Sequence, residues 1–288
     1  MIYDQRIKIR PLISDDLNQA LSLSSSEGWN QTEKDWRLLI DNPLNTCIAA
    51  VYENKIIGTA TALNHSGKVA WIGMVIVDKA FRGQGIGKLL MTTIIEKLEN
   101  FESVKLDATP AGLPLYRKLG FADEYMIDRM LNQSVSGNEI SESDIMPEVI
   151  RESDITSIIK ADEIAFGTSR NYLLNKILTD YPEKTLILEI NKILAGYIMG
   201  RNGLRYNYLG PVIATSEEYA RILIAAALGK LKGQPVILDI PQDKNDLITW
   251  LEELGFEKQR HFTRMFLKSN SHKGFTKNYF LISGPEYG

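Results

Sequence analysis

The sequence predicts an α/β (α+β) fold that occurs twice in tandem. Strand-like and helix-like patterns alternate along all 288 residues, a length that favours two domains. The same order of elements starts again after a polar stretch, and Arg129-Met130 recurs as Arg264-Met265 at an offset of 135. A repeat of this length indicates two copies of one fold. We therefore predict a first copy over residues 1–133, a linker over 134–146 and a second copy over 147–288.

The first copy can be followed element by element. Alternating charged and apolar residues predict an opening strand over 6–10. Two helices follow, one from Leu17 and one after Thr32, which with Asp35 forms a near capping box. Two apolar runs joined by a polar turn predict a hairpin. The predicted later elements are strands at 46–51, 55–63, 69–77, 103–109 and 124–131, and helices after residues 85 and 112.

The most informative stretch covers residues 74–98, where an apolar strand leads through Arg82-Gly83-Gln84-Gly85-Ile86-Gly87 into a helix. Glycines before a helix leave backbone N–H groups uncovered, and the helix dipole adds positive charge there. Arg82 and Lys88 add full charges. This pattern predicts a binding site for an anion and favours a pyrophosphate. It fits neither the dinucleotide fingerprint nor the P-loop, because the glycine and lysine spacings differ.

Two motifs together resemble a known family. Arg82, Gly85 and Gly87 match the acetyl-CoA signature of the GNAT superfamily of N-acetyltransferases. Farther along the chain, residues 115–121 read LYRKLGF, which is similar to the short tyrosine-bearing helix and Gly-Phe of the same family. The resemblance implies two tandem GNAT-like domains, each a mixed, mostly antiparallel sheet flanked by helices. It also implies acetyl-CoA as co-substrate.

The resemblance further implies roles for individual residues. The fourth and fifth strands would splay, with the backbone of Ile76 and Val77 pairing with the pantetheine arm. Tyr116 would protonate the departing thiolate as general acid. Without the family, Tyr116 is an ordinary helix aromatic packed on a sheet. The residues expected to hold the pyrophosphate are Arg82, Gly83, Gln84, Gly85, Ile86, Gly87 and Lys88.

The acceptor side is less defined by the sequence. Trp29, Asn30 and Trp36 are the residues expected to form its wall, although Trp36 also suits a core position and Trp29 could staple a helix start. Cys47 lies in an apolar strand and is expected to be a core thiol. The general base stays open, and its candidates by chemistry are Glu27, Asp35, Asp78 and His65.

The second copy lacks both functional motifs. Residues 214–219 contain no glycine, and Glu217 and Glu218 occupy the helix start where a phosphate would bind. Leu251 stands at the position of Tyr116. We infer that only the first copy binds acetyl-CoA. The second copy could cover the cleft, with Tyr206, Tyr208 or Tyr287 contributing, or could serve only to bury surface.

Further segments extend the resemblance to the YitH-like tandem acetyltransferases, in which the second domain is a divergent GNAT-like partner. These segments are residues 28–31, 35–36, 107–112, 209–211 and 282–286. That subgroup implies the architecture more than the chemistry, since it has no broadly established substrate.

Composition restricts the class of function. A net charge of -3 gives no support for a nucleic-acid partner, and a single cysteine excludes a disulfide framework or a thiolate zinc cluster. No signal-peptide pattern or membrane-spanning run is present, so we expect a cytoplasmic protein, monomeric or homodimeric, with no metal and no membrane partner. The predicted activity is direct acetyl transfer from acetyl-CoA to the primary amine of a small-molecule or amino-acid-like acceptor. The alternative is a non-catalytic acetyl-CoA sensor or interaction module.

Overall fold

A computed structural model describes residues 6–137 and 145–288. The first copy contains strands and helices in the predicted order. Its strands are β1 (Lys8–Pro11), β2 (Thr46–Tyr52), β3 (Lys55–His65), β4 (Val69–Val77), β5 (Ser103–Ala108) and β6 (Ala122–Asn132). Its helices are α1 (Leu17–Ser26), α2 (Glu33–Ile40), α3 (Ile86–Lys97) and α4 (Leu113–Lys118).

The second copy repeats this order and adds a short strand at the end. Its strands are β7 (Glu148–Val149), β8 (Leu186–Ile190), β9 (Ile193–Arg201), β10 (Asn207–Ala214), β11 (Val236–Pro241), β12 (Glu257–Lys268) and β13 (Tyr279–Leu281). Its helices are α5 (Ile155–Phe166), α6 (Asn171–Asp180), α7 (Glu217–Gly229) and α8 (Asn245–Glu253). Residues 138–144 of the predicted linker lie outside the described residues, whereas Val135, in the same segment, is buried and bonds to the loop before β11.

Local sequence signals explain several of these elements. The hairpin β2–β3 turns at Glu53 and Asn54, which both have positive φ, as a tight two-residue turn requires. The equivalent turn of β8–β9 uses Asn191 and Lys192 in the same way. At the start of α2 the Thr32 N–H donates to Asp35 Oδ2 at 2.7 Å, so the capping box forms as the sequence predicts.

The two copies exchange their last strands. One continuous sheet runs through all the described strands, in the order β1-β2-β3-β4-β5-β12-β6-β11-β10-β9-β8-β7, with β13 beside β10. Strand β12 of the second copy pairs with β5 of the first, and β6 of the first copy pairs with β11 of the second. Each copy therefore completes the sheet of the other, so that the strand before the predicted boundary at residue 133 lies in the second copy's half of the sheet.

Two buried ion pairs join the exchanged strands. Arg264 of β12 lies directly across from Asp107 of β5, and its Nε and Nη2 donate to the two carboxylate oxygens at 2.9 Å. Arg129 of β6 donates in the same way to Asp239 of β11, at 2.7 Å for both bonds. Each of the two repeated arginines thus binds an aspartate of the opposite copy.

The hydrophobic core is also shared between the copies. One apolar cluster combines Trp36 and Leu39 of α2 with Leu173 of α6 and Tyr287 near the end of the chain. Two further clusters lie behind α3 in the first copy and behind α7 and α8 in the second. Because the copies share both a sheet and a core, a cleft in one copy can receive side chains from the other.

Corresponding parallel strands separate in both copies, but the two openings differ. Strands β4 and β5 pair only from Val69 to Trp71 and then diverge, which leaves a cleft. Strands β10 and β11 pair only up to Leu209 and then diverge as well. In that second opening β13 pairs with β10, and the Ile282 N–H donates to Asp239 O at 3.0 Å. The chain itself therefore fills the second cleft.

Candidate active site in the first cleft

The cleft between β4 and β5 contains a cavity of about 350 Å³. Its walls come from the α1–α2 loop, β4, β5, α4, both exchanged strands and three segments of the second copy. A cleft built on splayed strands with a few convergent polar groups is the usual form of a small-molecule site. The residues that line it include Glu27, Trp29, Asn30, Gly73, Met74, Asp107, Tyr116, Arg129, Arg205, Tyr206, Arg260, Pro285 and Glu286.

A bulge in β4 shapes one wall of this cavity. Met74 has a φ of 50°, and the pairing of β4 with β3 shifts register beside it. The hydroxyls of Thr59 and Thr61 donate to the carbonyls of Met74 and Gly73 at 2.8 and 3.0 Å. These bonds hold the kinked backbone, so that residues 72–75 face the cavity.

The residues expected to contact a bound arm follow the bulge. The resemblance implies that the backbone of Ile76 and Val77 pairs with the pantetheine arm, and this stays a prediction. Ile76 pairs with Thr59 of β3, and the Val77 carbonyl accepts a bond from Arg82 Nε at 3.0 Å. Neither residue lines the cavity, whose β4 wall is formed by residues 72–75.

The glycine loop presents a continuous set of free donors. Gly83 and Gly85 have φ values of 79° and 84°, which glycine adopts without strain, and Gly85 is the residue before α3. Within the described parts of the chain, the backbone N–H groups of residues 83–88 have no hydrogen-bond partner. Arg82, Gly83, Gln84 and Lys88 are exposed, whereas Ile86 is buried and anchors the helix. This arrangement suits a bound anion.

Gly87 is not required by the protein's own packing. It lies inside α3 without a positive φ, and a Cβ there would meet Val77 and Leu115 at 3.8 and 3.9 Å, which is ordinary contact. A glycine inside a helix costs roughly 0.5–1 kcal/mol relative to alanine. The missing side chain is therefore better explained by a molecule that approaches the helix start.

Arg82 contacts both the protein and solvent. Its Nε donates to Val77 O, its Nη2 lies 2.6 Å from Glu27 Oε1, and 48% of its side chain is exposed. The side chain thus ties the end of α1 to the loop, and its expected role in holding the pyrophosphate stays a prediction. Lys88, in the first turn of α3, is the second exposed cation of this segment.

Tyr116 lies on α4 and faces the cavity. Its ring contacts Phe121 edge-on with centroids 6.1 Å apart, and its hydroxyl bonds to no other described residue. Burial raises the pKa of Tyr116 to about 12, so the phenol is protonated throughout the neutral range. The side chain can therefore donate a proton into the cleft.

The expected acceptor wall is only partly present. Trp29 and Asn30 line the cavity, but the Asn30 side chain bonds to the backbone of residues 205 and 206 at 3.0 Å. Asn30 therefore fastens the second copy over the cleft. Trp36 is fully buried, with its Nε1 donating to Ser24 Oγ at 3.1 Å, and is a core residue rather than part of the wall.

Three of the four open base candidates do not line the cavity. Asp35 caps α2, and Asp78 binds Lys55, which lowers the pKa of Asp78. His65 is buried against the Tyr287 carbonyl, and burial together with the Arg170 charge lowers its pKa to about 3. Glu27 does line the cavity, where it pairs with Arg82.

Cys47 is partly buried and packs against the core, where the sequence predicts a core thiol. Its Sγ donates to Leu39 O at 3.4 Å, and burial raises the pKa of the thiol to about 12. The thiolate is the nucleophilic form, so this cysteine is inert at neutral pH.

The second copy supplies residues that sequence analysis did not place in the site. Of its expected tyrosines, Tyr206 lines the cavity, Tyr208 is buried against Asp239, and Tyr287 is buried against Asp35. Arg205, Arg260 and Glu286 also line it. Their positions depend on strand exchange and on the path of the last residues, so no local pattern marks them.

The second copy's own helix start is closed to an anion. The Ser216 hydroxyl accepts the Tyr219 N–H at 3.3 Å, and Glu217 and Glu218 lie in the first turn of α7. Glu217 pairs with Arg221 at 2.6 Å. The protein itself therefore caps the start of α7 and supplies the negative charge that the helix dipole favours there.

The described residues contain neither a metal-binding group nor a membrane-spanning helix. Residues 6–137 and 145–288 contain no group of three or more histidine, cysteine or acidic side chains arranged to hold a metal ion. In the same ranges, every helix is too short or too polar to cross a lipid bilayer.

Comparison with known proteins gives a consistent result. Residues 11–121 match the model of the acetyltransferase (GNAT) family, and residues 158–280 match that of an acetyltransferase (GNAT) domain. The chain is 29% identical over 217 residues to the uncharacterised N-acetyltransferase YitH of Bacillus subtilis (strain 168), a match that covers 75% of this chain and 76% of YitH.

Solved structures agree on the fold. A candidate acetyltransferase from Pyrococcus horikoshii superposes with a TM-score of 0.82 at 21% identity, covering 100% of this chain and 98% of that one. A tandem GNAT protein from the clavulanic acid biosynthesis pathway superposes with a TM-score of 0.65 at 13% identity, covering 91% of this chain and 98% of that one. At these identities the likeness concerns the fold alone.

Proposed function

Because the chain belongs to the GNAT superfamily of N-acetyltransferases and carries two of its domains in tandem, we propose that its first copy is an acetyl-CoA-dependent enzyme. It transfers the acetyl group by direct attack to the primary amine of a small-molecule or amino-acid-like acceptor. One observation carries the proposal: the first copy has an open cleft whose lining residue Glu27 pairs with Arg82, directly before six consecutive backbone N–H groups, residues 83–88, that lack a partner in the described chain.

The loop and the cleft would bind different parts of acetyl-CoA. The free N–H groups of residues 83–88, the dipole of α3 and Lys88 suit the pyrophosphate. The unpaired side of β4 beside the Met74 bulge suits the pantetheine arm and the thioester. Backbone donors aimed at the thioester carbonyl would stabilise the oxyanion that develops there. Most of the rate enhancement would come from positioning the amine against that carbonyl.

Proton transfer completes the reaction. The amine nitrogen forms a bond to the carbonyl carbon, and the carbon–sulfur bond then breaks. Tyr116, which is neutral and faces the cavity, gives its hydroxyl proton to the departing sulfur. The phenolate recovers a proton from the nitrogen of the new amide by way of solvent.

Replacing Tyr116 with phenylalanine is expected to lower kcat at least about tenfold, because the sulfur then loses its proton donor. Binding of CoA should stay unchanged, since the ring is kept. Steady-state thiol release and calorimetric CoA binding measure the two quantities. Tyr219→Phe, on α7 of the second copy, is the matched control. A phenylalanine variant with full turnover would remove Tyr116 from the mechanism.

Charge in the cavity favours an acceptor that carries an anionic group. Arg205 and Arg260 line the cavity, and neither guanidinium has a carboxylate partner in the described chain. Burial and the neighbouring Arg129 charge lower the pKa of Arg260, which an incoming anion would relieve. Arginine is well suited to bind a carboxylate with two parallel bonds. These features support the amino-acid-like class of acceptor.

Arg260→Met is expected to raise KM about tenfold or more for an amino acid and to leave KM for the matching decarboxylated amine within about twofold. The reason is that only the amino acid carries the group that Arg260 binds. Arg117→Met, which removes an exposed arginine paired with Asp123, is the control. Equal changes for both acceptors would show that Arg260 does not select for the carboxylate.

The direct test of the proposed function is thiol release from acetyl-CoA across a panel of primary amines, together with calorimetric titration of CoA. We expect turnover on at least one acceptor and one CoA per chain, since β13 fills the second cleft. Tight CoA binding without turnover on any amine would overturn the enzymatic proposal and favour a sensor.

A further inference from the structure

The last residues of the chain cross from the second copy into the first. After β13, residues 283–288 leave the second cleft and pack beside β4. The Trp71 Nε1–H donates to the carbonyl of Pro285 at 2.9 Å, and the Tyr287 hydroxyl donates to Asp35 Oδ1 at 3.0 Å. The His65 ring bonds to the Tyr287 carbonyl at 3.0 Å. The segment is therefore fixed on both sides of Glu286.

Glu286 lies against the bulged part of β4. A Cβ built on Gly73 would be 2.8 Å from Glu286 Cα, so the two backbones can approach this closely only because residue 73 is glycine. Glu286 is 3% exposed, and it lines the cavity beside Met74. The close approach places a carboxylate where β4 and β5 begin to separate.

Charged and titratable groups surround this carboxylate from several elements. Arg201 of β9 donates from Nη2 to Glu286 Oε1, and its Nε lies 3.0 Å from Asp35 of α2, so one guanidinium serves two carboxylates. No other side chain of the described residues bonds to Glu286. Burial raises its pKa, as does Asp35, while the charges of Arg201 and, more weakly, Arg129 of β6 lower it. Two buried hydroxyls, those of Tyr208 and Tyr287, complete the surroundings.

We propose that Glu286 receives the acceptor's ammonium group and accepts its proton, so that the second copy supplies the general base of the first copy's site. The proposal rests on the proposed function. The acceptor enters as an ammonium ion, and one N–H proton passes to the Glu286 carboxylate. The neutral amine then attacks the thioester carbonyl as described above. Glu286 releases the proton to solvent after the products leave, which balances the one proton that amide formation liberates.

The other carboxylates of the cavity are less suited to this role. Asp107 uses both oxygens to bind Arg264 across the exchanged strands. Glu27 lies at the loop end of the cavity, where it faces the two cations Arg82 and Lys79 at 2.6 and 3.8 Å. Glu286 keeps one oxygen without a side-chain donor and packs against Gly73 at the bulge.

The test compares Glu286→Gln with the wild-type chain in thiol release and CoA binding. In the wild type, kcat/KM should fall as the pH drops through the pKa of Glu286, since only the ionised carboxylate accepts a proton. In Glu286→Gln, we expect kcat/KM to fall about 100-fold or more, the acidic limb to disappear, and CoA binding to stay unchanged.

Two further variants separate the role of the carboxylate from the structure of the segment. Tyr287→Phe loses the bonds to Asp35 but keeps Glu286, so its pH profile should match the wild type even if its stability falls. Glu27→Gln tests the other candidate carboxylate of the cavity. Provided that the wild type turns over, either of two results would overturn the inference. One is a Glu286→Gln variant whose pH profile matches that of the wild type. The other is an acidic limb that disappears in Glu27→Gln but not in Glu286→Gln. Absence of turnover in the wild type would instead overturn the proposed function.

Discussion

Replacing Gly85 with aspartate is expected to weaken CoA binding at least about 100-fold, which corresponds to about 3 kcal/mol. The new carboxylate would stand among the free N–H groups of residues 83–88 and repel the pyrophosphate from the start of α3. Calorimetric titration of CoA measures the loss. Asparagine has the shape of aspartate without the charge, and it tolerates a φ of 84° better than most residues. Gly85→Asn should therefore lose far less CoA affinity than Gly85→Asp. Gly67→Asp, at a φ of 72° with open space around it, controls for backbone strain.

A companion variant in the same loop excludes misfolding as the cause. Gly87→Ala should raise the free energy of unfolding by up to about 1 kcal/mol, because alanine favours the helix and its Cβ meets only ordinary contacts. The same methyl group would lie at the start of α3 and should weaken CoA binding about tenfold. A more stable protein that binds less tightly can be explained only by a ligand at this position. Unchanged binding in both variants would remove the loop from the CoA site.

The parts of the fold that follow from local patterns could be predicted from the sequence. The turn at Glu53 and Asn54 and the capping box of Thr32 and Asp35 depend on neighbouring residues, and both form as expected. The glycine loop could be found for the same reason, since its free donors depend on Gly83 and Gly85 and on the helix that follows. That this loop binds acetyl-CoA stays a prediction.

The strand exchange had no local signal. Arg129 and Arg264 occupy equivalent positions, and so do Asp107 and Asp239, so each arginine could pair with either aspartate at similar local cost. The sequence repeat therefore indicates two copies but does not distinguish whether each last strand pairs within its own copy or with the other copy. The placement of Glu286 in the first cleft was hidden too, because the sequence separation from Gly73 is long and the contact depends on how the copies join.

Some single-residue signals were present in the sequence but ambiguous. Gly73 inside an apolar strand is a recognised sign of a bulge or of a close backbone approach, and both occur there. The resemblance implies backbone contacts at Ile76 and Val77, just beyond the bulge, and these stay a prediction. Trp36 suited both a core and a binding wall, and burial of its whole side chain decides for the core.

Replacing Asp239 with alanine is expected to lower the free energy of unfolding by about 3–5 kcal/mol, because it leaves the buried Arg129 without its partner. The Asp239 side chain is fully buried, and it accepts two bonds from Arg129 and one from the Tyr208 hydroxyl at 2.8 Å. Although burial opposes the charge, Asp239 raises the pKa of Arg129 above its ordinary value, so the arginine would stay charged. Urea denaturation followed by circular dichroism measures the change.

The chain offers a matched control in Asp123→Ala, which removes an aspartate that also pairs with an arginine, Arg117, but on the surface. That loss should be at most about 1 kcal/mol, since solvent already screens the pair. The double variant Asp239→Leu with Arg129→Met removes both buried charges and should recover much of the stability lost in Asp239→Ala. If Asp239→Ala cost no more than Asp123→Ala, the buried pair would not be what holds β6 in the second copy's sheet. The shared core, including Trp36 and Tyr287, would then have to fix the exchange.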